Sequence, residues 1–290
     1  GDLGKAERLC REVLEHDLAW VRRRQVLTYV AFLAHRMISA GEAEERFRSL
    51  LDEPRDPNVP PSEDLDILEG LGYALCSLGR YREAVRQFGA AVRTASDIGV
   101  FHTVIAGALG IATCCDRTKQ GSGDVVAIRA YQLAKRAGAK TLEAVARGCI
   151  GEMLVERKDL HRARLFLESG LRESQSLEDE QGTLYALFLL IEALVEAGKR
   201  QDALVLYQTV DPGKTDQWRN VDLMARGARA RVFYWLAALD KDKAVEAARE
   251  AHRAFLEQQN LYESQVLEGI SNRLVQDGGD MGSSDAHEYG

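Results

Sequence analysis

Two adjacent cysteines, Cys114 and Cys115, and six histidines, His16, His35, His102, His161, His252 and His287, are the residues whose types could support metal binding or proton transfer. Neighbouring residues on a helix point in different directions, so Cys114 and Cys115 suit one buried thiol better than two ligands on one ion. The histidines fall in separate segments, which favours packing or solvated roles over a shared site. No His-Glu-x-x-His, paired Cys-x-x-Cys or Gly-rich loop ending in Gly-Lys-Ser/Thr occurs. Gly107-Ala-Leu-Gly110 lacks both a preceding strand and a third glycine, and reads as close helix packing rather than a nucleotide loop. No catalytic constellation, metal site or cofactor is expected from this inventory.

The elements that must position any remaining site are given by a slow repeat. A small residue is followed four positions later by a bulky one and seven positions later by a second small or apolar one, as in Ala84, Phe88 and Ala91, and again in Ala203, Tyr207 and Val210. Counting leading residues gives Ala6, a degenerate Arg46, Ala84, Ala127, Ala163, Ala203 and Ala244, separated by 40, 38, 43, 36, 40 and 41 residues. Periods of this size mark stacked supersecondary units, and such an array reaches 290 residues as one body because each unit contacts mainly its neighbours. Leu68, Leu71, Gly72, Leu75 and Leu78 form the apolar stripe of a first helix, ended at Gly79-Arg80; Tyr81, Ala84, Val85, Phe88, Ala91 and Val92 form that of a second. Small residues at Gly72 and Ala84 let the two helices cross closely. The polar stretch Asp116–Asp124, with Gly121 and Gly123, is expected to loop out between two helices.

Leu71, Gly72, Gly79, Tyr81, Ala84, Phe88 and Ala91 resemble the tetratricopeptide repeat (TPR) pattern. Leu75 stands where that pattern has a late tyrosine, and Ser96 where it has a terminal proline. Ile150, Gly151, Leu160, Ala163, Leu167 and Gly170 give a second copy, and Leu109, Gly110, Ala127, Tyr131 and Ala134 a third. The resemblance implies an all-α, right-handed superhelical solenoid of stacked antiparallel helix pairs. A period near 40 is longer than the family's usual unit, which makes the chain more similar to bacterial regulators and signal sensors with lengthened repeats.

The expected organisation is a repeat domain over 1–276 with six to seven units, the first truncated, a capping helix over 261–275 and a flexible polar tail over 277–290. The truncated first unit points to an upstream domain, and its uncovered face to a possible homodimer. Charge and composition narrow the partner. A net charge of −7 opposes phosphate backbones, so direct nucleic-acid binding is not expected. There is no apolar run of membrane-spanning length or signal-peptide character, and five scattered cysteines fit a reducing cytoplasm.

In this family the concave groove is lined by the inward side of each first helix. Carried onto the aligned units, that face selects His35, Glu69, Tyr73, Ile111, Glu152, Glu156, Tyr185, Phe188, Glu192, Arg226, Arg229 and Phe233. Aromatics among carboxylates, followed by a basic pair, would suit a protein or peptide segment with apolar anchors and a positive stretch. The expected function is therefore a non-catalytic binding scaffold. The other reading is the sensory, ligand-binding part of a larger transcription regulator or signalling ATPase, acting through small changes of superhelical pitch.

Overall fold

The computed structural model describes residues 3–16, 18–54, 60–210, 221–257 and 259–276. The tail expected over 277–290 lies outside the described residues. Among these residues every regular element is helical: α1 (Leu3–Leu14), α2 (Trp20–Met37), α3 (Ala40–Asp52), a 3₁₀ turn (Pro61–Asp64), α4 (Leu65–Ser77), α5 (Tyr81–Ile98), α6 (Phe101–Arg117) and α7 (Gly123–Ala137). They are followed by α8 (Lys140–Glu156), α9 (Leu160–Ser176), α10 (Glu180–Glu196), α11 (Arg200–Gln208), α12 (Val221–Ala237), α13 (Lys241–Glu257) and α14 (Leu261–Gln276). The molecule is a solenoid of antiparallel helix pairs, as the repeat requires.

The slow repeat explains the packing. In α5, Ala84, Phe88, Ala91 and Ala95 recur every three or four residues and are all fully buried, so one stripe faces the preceding helix while the arginines between them face water. Ala127, Ala163, Ala203 and Ala244 occupy the same buried position in α7, α9, α11 and α13. The second unit corrects the expected phase. Its small residue is Ala43, not Arg46, because Ala43, Phe47 and Leu50 reproduce the four- and seven-residue spacing and are buried, whereas Arg46 is 38% exposed and pairs with Glu42.

First helices α2, α4, α6 and α8 pack one on the next along one wall, and α8 continues onto α10. This is the inner wall of the array. Because α10 is enclosed by α8, α9, α11 and α12, it is apolar nearly all round, with Leu187 to Leu194 buried without interruption. Helix pairs close through residues in the left-handed region. Gly79 (φ 71°) and Gly198 (φ 72°) fill that position in two units, while Lys119, Lys158 and Leu239 adopt it in others at the cost of a side chain.

The excursion over Asp116–Asp124 is shorter than expected. α6 runs through Arg117 and α7 begins at Gly123, leaving only 118–122 between them. The reason lies in Arg157, which donates to buried Asp116 at 2.9 Å and reaches Asp124 at 2.9 Å, pinning both ends of the stretch to the next unit. α14 spans the range expected for the last helix, but it does more than cover an apolar edge. Gln259 accepts a hydrogen bond from the backbone N–H of Gly41 at 3.0 Å, Tyr262 meets the ring of Tyr81 at 6.4 Å, and α12 touches α2. The array thus curls far enough for its last units to meet its second and third.

Candidate functional site: the inner wall

That closure draws most of the expected groove residues into one buried network. Glu152 on α8 accepts from Arg117 at 2.5 Å, Arg226 at 2.7 Å and the hydroxyl of Tyr185 at 2.6 Å. Arg229 donates to Glu192 at 2.5 Å and to Glu263 at 2.6 Å, and Arg226 lies 3.2 Å from Glu263. Glu156 pairs with Arg117 and accepts from Tyr262 at 3.0 Å. The guanidinium of Arg117 also lies 3.9 Å from the ring centre of Tyr262, a cation–π arrangement. Three arginines thus meet four carboxylates, Glu152, Glu156, Glu192 and Glu263, from α6, α8, α10, α12 and α14.

Burial raises the pKa of the Glu152 carboxyl, but the Arg226 and Arg117 guanidiniums outweigh it and hold the group well below the usual carboxylate range. Glu263 is likewise lowered, burial being outweighed by Arg226, Arg229 and Arg117. Arg226 is pushed up because its carboxylate partners overcome the penalty of burial. Glu152 and Glu263 therefore keep their charge through the neutral range, facing Arg226 and Arg117.

The other expected residues fall into two groups. Phe188 and Phe233 are 3% and 4% exposed and pack in the core, Phe233 at the edge of a cleft. His35, Glu69, Tyr73 and Ile111 lie towards the N-terminal end of the wall, apart from the network. His35 bonds to Ser77 at 3.1 Å, Tyr73 meets Phe88 edge-on at 5.0 Å, and Ile111 packs against the core formed by α2 to α5. Arg117, Tyr262 and Glu263 are the members of the site that the sequence reading missed. Arg117 falls in the last turn of α6, away from the aligned face, and Glu263 hides among the polar residues of a helix read for its apolar stripe.

Two clefts flank the network. One, of 620 Å³, is bounded by Glu156, Lys158, Glu192, Arg229, Phe233 and Tyr262. The other, of 400 Å³, is bounded by Arg36, Val145, Cys149, Asp179, Tyr185 and Leu223. Glu192 and Arg229 face the first cleft and Tyr185 the second, so the network forms a charged partition between them. Among the described residues no group of three His, Cys, Asp or Glu side chains is placed to hold a metal ion, and no helix is long and apolar enough to cross a membrane.

Glu69 stands apart electrostatically. Burial, reinforced by Asp66, pushes its pKa up to about 7. A carboxyl whose folded pKa exceeds its ordinary value of 4.5 keeps its proton longer in the folded than in the unfolded chain, so its contribution falls as pH rises from 4.5 to about 7 and stays low above that. Glu69→Gln, which carries no charge, is expected to gain about 1–3 kcal/mol relative to the parent between pH 5 and pH 8. Urea unfolding at the two pH values measures this; an unchanged difference would show that Glu69 ionises freely.

Neither a family model nor a curated protein matches the sequence. Solved structures do match the fold. A Rap protein complexed with competence and sporulation factor is similar over 88% of this chain and 76% of its own, with 10% identity and a TM-score of 0.61. NprR in complex with its cognate peptide NprX is similar over 97% and 82%, with 17% identity and a TM-score of 0.57. A STAND signal-transduction ATPase with a tetratricopeptide repeat sensor, from Pyrococcus horikoshii, is similar over 94% of this chain but 45% of its own, with 13% identity and a TM-score of 0.59. At these identities the likeness establishes what the helices already displayed: the chain has the fold of a TPR-like helical solenoid.

Proposed function

We propose that this chain is a cytoplasmic, non-catalytic scaffold whose inner wall captures a protein or peptide segment, built as a TPR-type array with units lengthened to about 40 residues. The observation that carries the reading is the pair of clefts on either side of the buried ionic partition, at the part of the wall where five helices of the array converge. Such a wall offers an extended segment apolar contact in each cleft and charge to fix its direction. Two of the similar solenoids were solved in complex, one with competence and sporulation factor and one with its cognate peptide NprX, which supports the same use here. The exposed residues lining the larger cleft, Lys158 and Arg273, then act with Tyr185 and the partition in selecting the segment.

The expected result is that selection from a library of random linear peptides enriches a sequence whose affinity drops about tenfold in Lys158→Glu or Arg273→Glu, with the exposed outer position Arg172→Glu as control. An equal drop in all three variants, or no enrichment at all, would remove the groove assignment. A second reading, a sensor within a larger regulator, is favoured by the STAND protein, of which this chain spans less than half. In that case an upstream domain or a second copy of the chain receives the signal.

A further inference from the structure

We propose that Cys76 and Cys114 are a latent disulfide site that joins the first helices of two consecutive units. Their sulfurs lie 3.0 Å apart, Cys76 near the end of α4 and Cys114 in α6. A disulfide holds its sulfurs about 2.05 Å apart, so closure asks for a movement of about 1 Å. The two helices pack directly, and glycines at Gly72 and Gly110 bring their backbones close on either side of the Phe88 ring. The pair is specific among the five cysteines. Cys115 follows Cys114 but points from a different side of α6, Cys10 lies on α1 and Cys149 on α8, and the close sulfur–sulfur contact is that of Cys76 with Cys114.

The two sulfurs differ in their surroundings, and this assigns their roles. Cys114 is 1% exposed, while Cys76 is partly open and so the sulfur that a peroxide reaches. Cys76 is therefore the attacking group. With hydrogen peroxide as oxidant, its thiolate attacks one peroxide oxygen, the O–O bond breaks, and a sulfenic acid forms as hydroxide leaves and takes up the proton released by the Cys76 thiol. Cys114 then attacks the sulfenic sulfur, the S–O bond breaks, and the thiol proton leaves with the departing hydroxide as water. In total two thiols and one peroxide give one disulfide and two waters.

The S–H···S contact and burial push the Cys76 thiol well above its ordinary pKa of 9.0, so little thiolate is present at neutral pH and closure is slow. The site therefore closes faster at alkaline than at neutral pH. Its closure would also reach the partition, because Arg117 lies less than one turn beyond Cys114 and pairs with both Glu152 and Glu156.

The test uses the whole chain exposed to hydrogen peroxide, quenched with an alkylating agent and mapped by mass spectrometry without reduction. The expected product links the peptides carrying Cys76 and Cys114 with loss of two hydrogens, reverts with dithiothreitol, and leaves Cys115 alkylated. Its rate should rise about tenfold per pH unit between pH 7 and 9, as the thiolate fraction does. Cys76→Ser and, independently, Cys114→Ala should abolish the link, while Cys115→Ser should keep it. Full alkylation of both thiols, pairing of either with another cysteine, arrest of Cys76 at sulfinic acid, or a rate indifferent to pH would each overturn the proposal.

Discussion

Glu152→Ala is expected to destabilise the C-terminal half of the array by about 3–5 kcal/mol, the cost of leaving buried charge without its partner. Glu152 is the carboxylate at which Arg117, Arg226 and Tyr185 meet, and its side chain is only 12% exposed. Its removal leaves Arg117 to Glu156 and Arg226 to Glu263, neither of which is free of other claims. Because a repeat array loses cooperativity when one region weakens, the effect should be read locally, as faster amide exchange in α8, α12 and α14, alongside denaturant unfolding. The double variant Glu152→Ala/Arg226→Ala should cost clearly less than the sum of the two single changes, since the second removes the charge that the first strands. The same pairing fixes the acid response. Glu152 and Glu263 have folded pKa values below their ordinary 4.5, so the stabilisation they supply is complete above that pH and is lost as pH falls towards their folded values. A change of less than about 1 kcal/mol in Glu152→Ala would mean that water, not the protein, balances these arginines.

Much of the architecture is legible because each unit solves a local packing problem. The rule of a small residue, then a bulky one, then another small one places α5, α7, α9, α11 and α13 correctly, since only a small side chain tolerates the close crossing of a helix pair. The same rule, applied to spacing alone, misplaces the second unit by three residues. Regular counting favours Arg46, whereas the fully buried Phe47 identifies Ala43 as its partner four residues earlier. The bulky residue that must be buried is the better marker of phase.

The site is legible only in part. Aligning first helices puts Glu152, Glu156, Tyr185, Glu192, Arg226 and Arg229 on one side of the array, and the structure joins these six in a buried ionic network. What that side meets depends on the accumulated rotation from unit to unit, which no single unit encodes. Glu152 and Arg226 are 74 residues apart, and Gly41 and Gln259 are 218 apart. An open groove and a closed partition therefore have the same repeat signature. The excess of carboxylates and arginines on the wall is a sign of mutual pairing once the curl is tight enough to bring them together. Phe188 and Phe233 are largely buried for the related reason that α10 and α12 pack against several other helices, and Phe233 still borders a cleft.

The largest expected effect in the N-terminal half belongs to Phe88. Its ring is fully buried between two glycines: a Cβ added at Gly72 would lie 2.6 Å from it, and one at Gly110 2.5 Å. Phe88→Ala should cost about 3–5 kcal/mol, since the ring is lost and helices from two adjacent units must either collapse or leave a cavity. Gly110→Ala should cost about 1–3 kcal/mol for the opposite reason, because the ring has no free side into which to retreat. The combination discriminates clamping from mere bulk. Phe88→Leu shortens the occupant, so adding Gly110→Ala to it should cost clearly less than adding the same methyl to the parent. Thermal or urea unfolding of the four proteins gives the coupling directly, and equal costs in the two backgrounds would mean that the glycine serves the backbone and not the ring. A coupling of more than about 1 kcal/mol would instead identify the Phe88 ring as the point where two neighbouring helix pairs are held together.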